Sequence, residues 1–212
     1  MPLVFSRLAG LPWSRPSFSV FCHLLGLCLE QVTLPAWLVV SDPRLRPQVR
    51  ALLPRLPEID GAPIRVEWKR NLHDRHGPVH AAAYLRERRM AFDCAPAEFP
   101  RIFVHELFHF VWLRLGNPRR HRWERCLAVE LRAGVRGELG WSAEWRKREL
   151  DAAEIAARGR RWRDYCCEGF CDTAAWLYSG TPRHPEFTLR KRWRKARAAW
   201  FKAWLAGPGL SI

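Results

Sequence analysis

The segment from Pro100 to Trp112, P-R-I-F-V-H-E-L-F-H-F-V-W, makes two demands that few folds meet together. Its apolar residues leave no hydrophilic stripe, so a helix built from it belongs inside a core. It also carries His105, Glu106 and His109 into that core, where polar groups cost several kcal/mol unless they are paired or coordinated. His105 and His109 stand four apart, on one helical face and about one turn from each other, within reach of a single metal ion. Glu106 then lies beside the ion, placed to take a proton from a water that the metal has acidified to a pKa of roughly 7 and to pass it to a leaving amine. Pro100 marks the start of the helix and Gly116-Asn117-Pro118 its stop.

A hydrolytic zinc site takes three protein ligands and leaves a fourth position open. The metzincin pattern, with Gly three and His six residues past the second His, does not fit, because Trp112 and Leu115 stand there. Glu168 is the better third ligand. It shares a helical face with Asp172, four residues on, so that Glu168 can ligate while Asp172 accepts the outer N–H of a ligating His and fixes its tautomer. Glu130 and a Cys remain alternatives. Glu130 follows His109 by 21 positions and Glu168 by 59, yet Gly134 stands where an acid partner for Glu130 would be. Cys167 and Cys171 are also four apart, and thiolates ligate zinc, although cysteines more often pack as small apolar groups.

H-E-x-x-H at 105–109 followed by E-x-x-x-D at 168–172 resembles the gluzincin pattern of thermolysin-like metallopeptidases. The resemblance spans two short segments, and the interval between them is longer than in thermolysin. It implies one zinc ion held by His105, His109 and Glu168, with Glu106 as general base and Asp172 as the partner of His105. It implies peptide-bond hydrolysis of a peptide or protein substrate, and an edge strand before the active-site helix that binds extended substrate by main-chain pairing. Tyr165, Tyr178 and His184 are the expected oxyanion donors, chosen by residue type and nearness in sequence.

The expected fold is α+β and mainly helical, with a small antiparallel sheet packed on the H-E-x-x-H helix in a zincin-like manner. A length of 212 residues suits one substantial core. The expected organisation is an irregular N-terminal arm over 1–16, a zincin-like metallopeptidase domain over 17–186, and a basic amphipathic helix and tail over 187–212. Seven Cys in no regular framework favour a reducing, cytoplasmic setting. The apolar stretch Phe18 to Leu29 follows Arg7 and Arg15 as a signal segment would. However, His23 interrupts it, no small-x-small cleavage site follows, and it is too short to span a bilayer. It reads as a buried helix or an extension. The twelve Trp are expected to fill the core and helix seams.

Strands are expected at 38–40 and 64–68, a helix from Asp42-Pro43 to about Leu53, and a hairpin from 81–85 and 89–92. His73, His76 and His80 share a polar loop that either leans over the site or forms a second metal site. A helix opened by the basic run after Pro118 goes through Arg132, with Gly134 and Gly137 as candidate stops. Another, capped by Ser142, continues to Ala157, and a basic linker over 158–163 precedes the Glu168 helix, which ends near Tyr178. Glu138 is expected as a solvated loop acid, with the metal cleft as the alternative.

Near the C-terminus Leu189, Trp193, Ala196, Trp200 and Trp204 form an apolar stripe, with Arg190, Lys191, Arg194, Lys195 and Arg197 on other faces. Docking of the stripe on the domain is the expectation. A net charge of +15 keeps a second reading open, a basic nucleic-acid-associated or anionic-surface binder in which any metal is structural or absent. A GC-rich gene that writes Arg for Lys accounts for much of the same charge.

Overall fold

A computed structural model describes residues 33–74, 77–205 and 209–212. The expected N-terminal arm, the Phe18 to Leu29 stretch and His76 lie outside them. Strand β1 (Leu38–Val40) turns Leu38 and Val40 inward and Val39 outward, the two-residue period of a sheet with one buried face. Asp42 caps a tight turn at Pro43–Leu45 that enters α1 (Arg46–Leu52). There follow β2 (Ile59–Asp60), β3 (Ile64–Trp68) and a small antiparallel ladder of β4 (His73–Asp74) with β5 (Gly77–Pro78). The hairpin β6 (Ala81–Tyr84) and β7 (Arg89–Phe92) leads to α2 (Phe99–Arg114), the H-E-x-x-H helix. The chain continues through α3 (Asn117–Arg132), α4 (Trp141–Arg148), α5 (Ala152–Ala157), α6 (Arg160–Tyr178) and α7 (Lys191–Leu205), and β8 (Leu210–Ser211) pairs with β2.

The architecture is mixed α+β and predominantly helical. The expectation of an antiparallel sheet is corrected. Four strands lie in the order β1-β3-β7-β6, and both β1–β3 and β3–β7 run parallel. Only β6, at the edge, is antiparallel to its neighbour. Parallel neighbours need crossover connections of about a dozen residues or more. Residues 41–63, with α1, and 69–88, with the ladder and β6, supply them. Alternation of apolar residues marks a strand but carries no information on its direction.

Two helix boundaries also differ from expectation. The helix after Gly140 stops at Arg148, and the Asp151 side chain caps a separate α5 by accepting from the Glu154 N–H. The basic segment expected as a linker contributes the first turn of α6 from Arg160 onward. Gly134, at φ +63°, ends α3 as its sequence position suggests.

Helix α2 is buried on almost every side. Phe92, Phe99 and Phe103 interlock between sheet and helix, with the Phe99 ring centroid 5.0 Å from that of Phe92 and 5.5 Å from that of Phe103. On its other flank Phe108 meets Phe170 of α6 and Phe201 of α7. Helix α7 is therefore docked, as expected, and Phe201 belongs to the same core as α2. Leu189, Trp193, Trp200 and Trp204 of the expected stripe pack inward, but two positions of that helix exchange roles. Arg197, expected among the solvated charges, stands four residues after Trp193 and is fully buried, and Ala196 is exposed.

Partners from other segments explain Arg197. Its guanidinium grips both Glu130 oxygens of α3, with Nε at 2.9 Å from Oε1 and Nη2 at 2.6 Å from Oε2, and Nη1 lies 2.7 Å from Glu138 Oε2. Glu138 Oε1 also accepts from the Tyr165 hydroxyl of α6 at 2.7 Å and from Lys147 Nζ of α4 at 2.9 Å. Glu138 is thus neither solvated nor in a metal cleft. Burial alone would raise its pKa, but the Arg197 and Lys147 charges and the Tyr165 bond outweigh burial and hold it below the usual carboxylate range.

Arg197→Met should cost about 3–5 kcal/mol in urea denaturation, because it leaves Glu130 and Glu138 buried beside each other without their cation. Since the folded Glu138 pKa is depressed, its stabilising effect is present above the ordinary value of 4.5 and is lost as pH falls through the lower folded value. The melting temperature of the wild type should therefore drop more steeply below about pH 4.5 than that of Glu138→Gln, which differential scanning calorimetry across that range would check.

Candidate metal centre

Helical spacing sets His105 and His109 on one face of α2, and α6 packs along that face. The Nε2 atoms of the two rings lie 3.2 Å apart, and Glu168 Oε2 is 3.3 Å from His105 Nε2. The donor atoms of all three residues fall within 4.8 Å of one another. Donors at the corners of a tetrahedron, each about 2.0–2.1 Å from a zinc ion, are separated by about 3.3–3.4 Å. The two separations at His105 Nε2 are close to that edge, so the residues present fit the ion.

Outer bonds hold His105 and Glu168 in place. His105 Nδ1 is 2.8 Å from Asp172 Oδ1, which sets the proton on Nδ1 and leaves Nε2 free to ligate. Asp172 is itself held, since Oδ2 accepts the Ala143 N–H in the first turn of α4 at 3.2 Å. Gly140 packs so closely on this carboxyl group that a Cβ there would overlap it. Glu168 gives its other oxygen, Oε1, to Arg146 of α4 at 3.2 Å.

Electrostatics make the same demand for a cation. Burial opposes charge on Glu168, yet the bond to His105, the charges of both imidazoles and Arg146 pull its carboxyl down to about 2. Burial likewise opposes charge on His105, and the Asp172 and Glu168 carboxylates overcome it and raise its pKa well above the usual imidazole value. His109 rises to about 9 against burial, through Cys167 and Glu168. A buried point that draws protons this strongly is a point where a metal ion can replace them.

Glu106 takes the opposite course from Glu168. Burial raises its pKa above the ordinary carboxylate value, in spite of the nearby imidazoles. It lies in the wall of a cleft of about 340 Å³, opposite Pro78, Val79, His80 and Ala81, with Trp141 and Ser142 along the rim. The main-chain N–H of Ala83, in edge strand β6, faces the Glu106 carboxylate and favours its charged form. In an antiparallel edge strand alternate residues turn their N–H and C=O away from the partner, so Ala81 and Ala83 present main-chain groups on the side of Glu106.

The remaining expected site residues are elsewhere. Tyr165 is fully buried with its hydroxyl bound to Glu138, and Tyr178 stacks on Phe108 at 5.6 Å. His184 bonds Glu98 at 3.2 Å. None of the three lines the cleft beside Glu106. Glu130 is taken by Arg197, which leaves Glu168 as the carboxylate at the imidazole pair. In the His-rich loop, His80 borders the cleft while His73 bonds the Asn71 carbonyl. Sequence reasoning missed Arg146 and Gly140. The only local signal for Arg146 was its place one turn past Ser142 in a short helix, and for Gly140 a lone glycine before that helix.

No family model, no curated protein and no solved structure matches the chain. Among the described residues no helix is long and apolar enough to cross a membrane.

Gly140→Ala should push the Asp172 carboxyl group off His105 without straining the backbone, since φ here is an extended −171°. Zinc affinity measured by chelator competition should fall about 10–100-fold, as it does when the outer partner of a metal-bound His is lost.

Proposed function

We propose that this chain is a zinc-dependent metallopeptidase of gluzincin type, a hydrolase acting on peptide bonds. One observation carries the reading. Glu168, 59 positions beyond His109, arrives with Oε2 at 3.3 Å from His105 Nε2, while Asp172 of the same helix closes on the far side of that ring. The arrangement of a mixed sheet, an antiparallel edge strand and then the H-E-x-x-H helix supports a zincin-like fold.

His105, His109 and Glu168 would hold the ion. When bound, zinc supplies an electrophile that polarises a carbonyl and acidifies water. The residues of the chain account for the rest. Glu106, more basic than an ordinary glutamate, takes the proton of the attacking water at its carboxylate and delivers it to the leaving amine. The outward N–H and C=O of Ala81 and the outward C=O of Ala83 would pair with an extended peptide and align its scissile bond along the cleft. Arg146 holds Glu168 in its ligating rotamer through Oε1. The free thiols of Cys94, Cys126, Cys166, Cys167 and Cys171 support a reducing, cytoplasmic setting.

The nucleic-acid-associated reading has less support. Trp193, Trp200 and Trp204 of α7 pack toward the cores rather than forming an open stacking platform, and Arg197 is sealed in its ionic cluster.

Purified protein should contain zinc and cleave a denatured protein mixture, and a chelator should abolish the cleavage until zinc is restored. Glu106→Gln should keep the metal and lose at least about 100-fold in rate. Zinc without Glu106-dependent cleavage would overturn the peptidase assignment, and retention on RNA or DNA with a steep salt dependence would then support the binder.

A further inference from the structure

Behind the first set of donors lies a second one that the proposed hydrolysis does not use. On α6 the pair Cys167 and Cys171 repeats, one residue earlier, the four-residue spacing of Glu168 and Asp172. Adjacent stripes of one helix therefore offer carboxylates and thiols to the two imidazoles of α2. Glu168 and Asp172 close on His105 from either side of its ring, while Cys167 Sγ stands 3.5 Å from Nδ1 of His109. Cys171 completes the group, and one donor atom from each of His109, Cys167 and Cys171 lies within 4.8 Å of the others.

We infer that His109, Cys167 and Cys171 form a second cation site, selective for a soft, thiophilic ion such as Cd2+, Cu+ or excess Zn2+. A zinc-sized ion takes sulfur at about 2.3 Å and imidazole nitrogen at about 2.0–2.1 Å, so tetrahedral N and S donors stand about 3.6 Å apart, close to the separation observed. Two sulfurs and one nitrogen select for softness, whereas the two-nitrogen, one-carboxylate set on the other side suits zinc in its hydrolytic role. His109 and Cys167 are only partly buried, so the donor group is not sealed from solvent. The other described cysteines, Cys94, Cys126 and Cys166, belong to no such donor group, so the juxtaposition is not a general result of cysteines packing in this core.

Sharing His109 couples the two sites. A neutral imidazole has one lone pair and one N–H. With Nε2 committed to the first ion, Nδ1 carries the proton and directs it at Cys167 Sγ. An ion entering the thiol site must displace that proton and those of both thiols into solvent, and it then competes for the ring. A soft ion in excess thus inhibits hydrolysis. The inhibition rests on the proposed peptidase activity, and the binding does not.

The test uses the whole chain, titrated with Cd2+ and followed by thiolate-to-metal ultraviolet absorption and by ion content after gel filtration. Wild type should gain the thiolate band and a second ion as cleavage is lost. Cys171→Ala, with Cys171→Ser as a second variant against misfolding, should lack the band, keep the other ion and resist inhibition by Cd2+. No thiolate band in the wild type, or an undiminished band in both Cys171 variants, would overturn the second site and leave the peptidase reading standing. A band in the wild type together with loss of all bound ion in folded Cys171 variants would confirm the thiol site and overturn the first one.

Discussion

Two imidazoles and a carboxylate brought to one spot inside a core need positive charge among them, and the structure around His105 is organised by that need. Asp172 fixes one His105 proton on Nδ1, so that only the Nε2 position is left for a metal ion to take, and Arg146 engages only the outer oxygen of Glu168. What remains at the focus is acceptor capacity in a medium of low effective dielectric, where charge interactions are stronger than in water. A divalent ion satisfies all three donors together, which separate protons on each would do less well.

Holding that focus is a task for the scaffold, and it is divided between two kinds of contact. Aromatic packing of Phe108 against Phe170 and Phe201 seats α2 on α6 and α7 but has little directional preference. The ionic cluster of Arg197 with Glu130 and Glu138, joined by Tyr165 and Lys147, adds direction, because bidentate and charge-assisted bonds tolerate little displacement. Its members come from α3, α4, α6, α7 and the loop before α4. The same α4 delivers Ala143 to Asp172 and Arg146 to Glu168, so the cluster that holds Lys147 also anchors the helix that braces the candidate donors.

The His109 ring extends this economy of parts. One face of α6 meets one face of α2, and because a helix presents residues i and i+4 together, a carboxylate pair and a thiol pair arrive side by side. The imidazole between them has two nitrogens, and the chain gives each a different chemical neighbour. A ring so placed links the occupancy of one set of donors to that of the other through a single proton.

Much of this was legible in the order of residues, and the division is physical. Spacing of four along a helix is local geometry, so the shared faces of His105 with His109 and of Glu168 with Asp172 followed from sequence, as did the strands at 38–40 and 64–68 and the hairpin that precedes α2. Long-range choices were not legible. Strand direction depends on crossovers, the fate of Arg197 and Glu138 depended on partners far away in the chain, and Tyr165, Tyr178 and His184 were drawn to neighbours that proximity in sequence did not reveal. The chain by itself determined which side chains share a face, because backbone geometry repeats within one helix or strand. Only the tertiary structure decided which faces meet, because a buried charge takes the partner that packing brings to it.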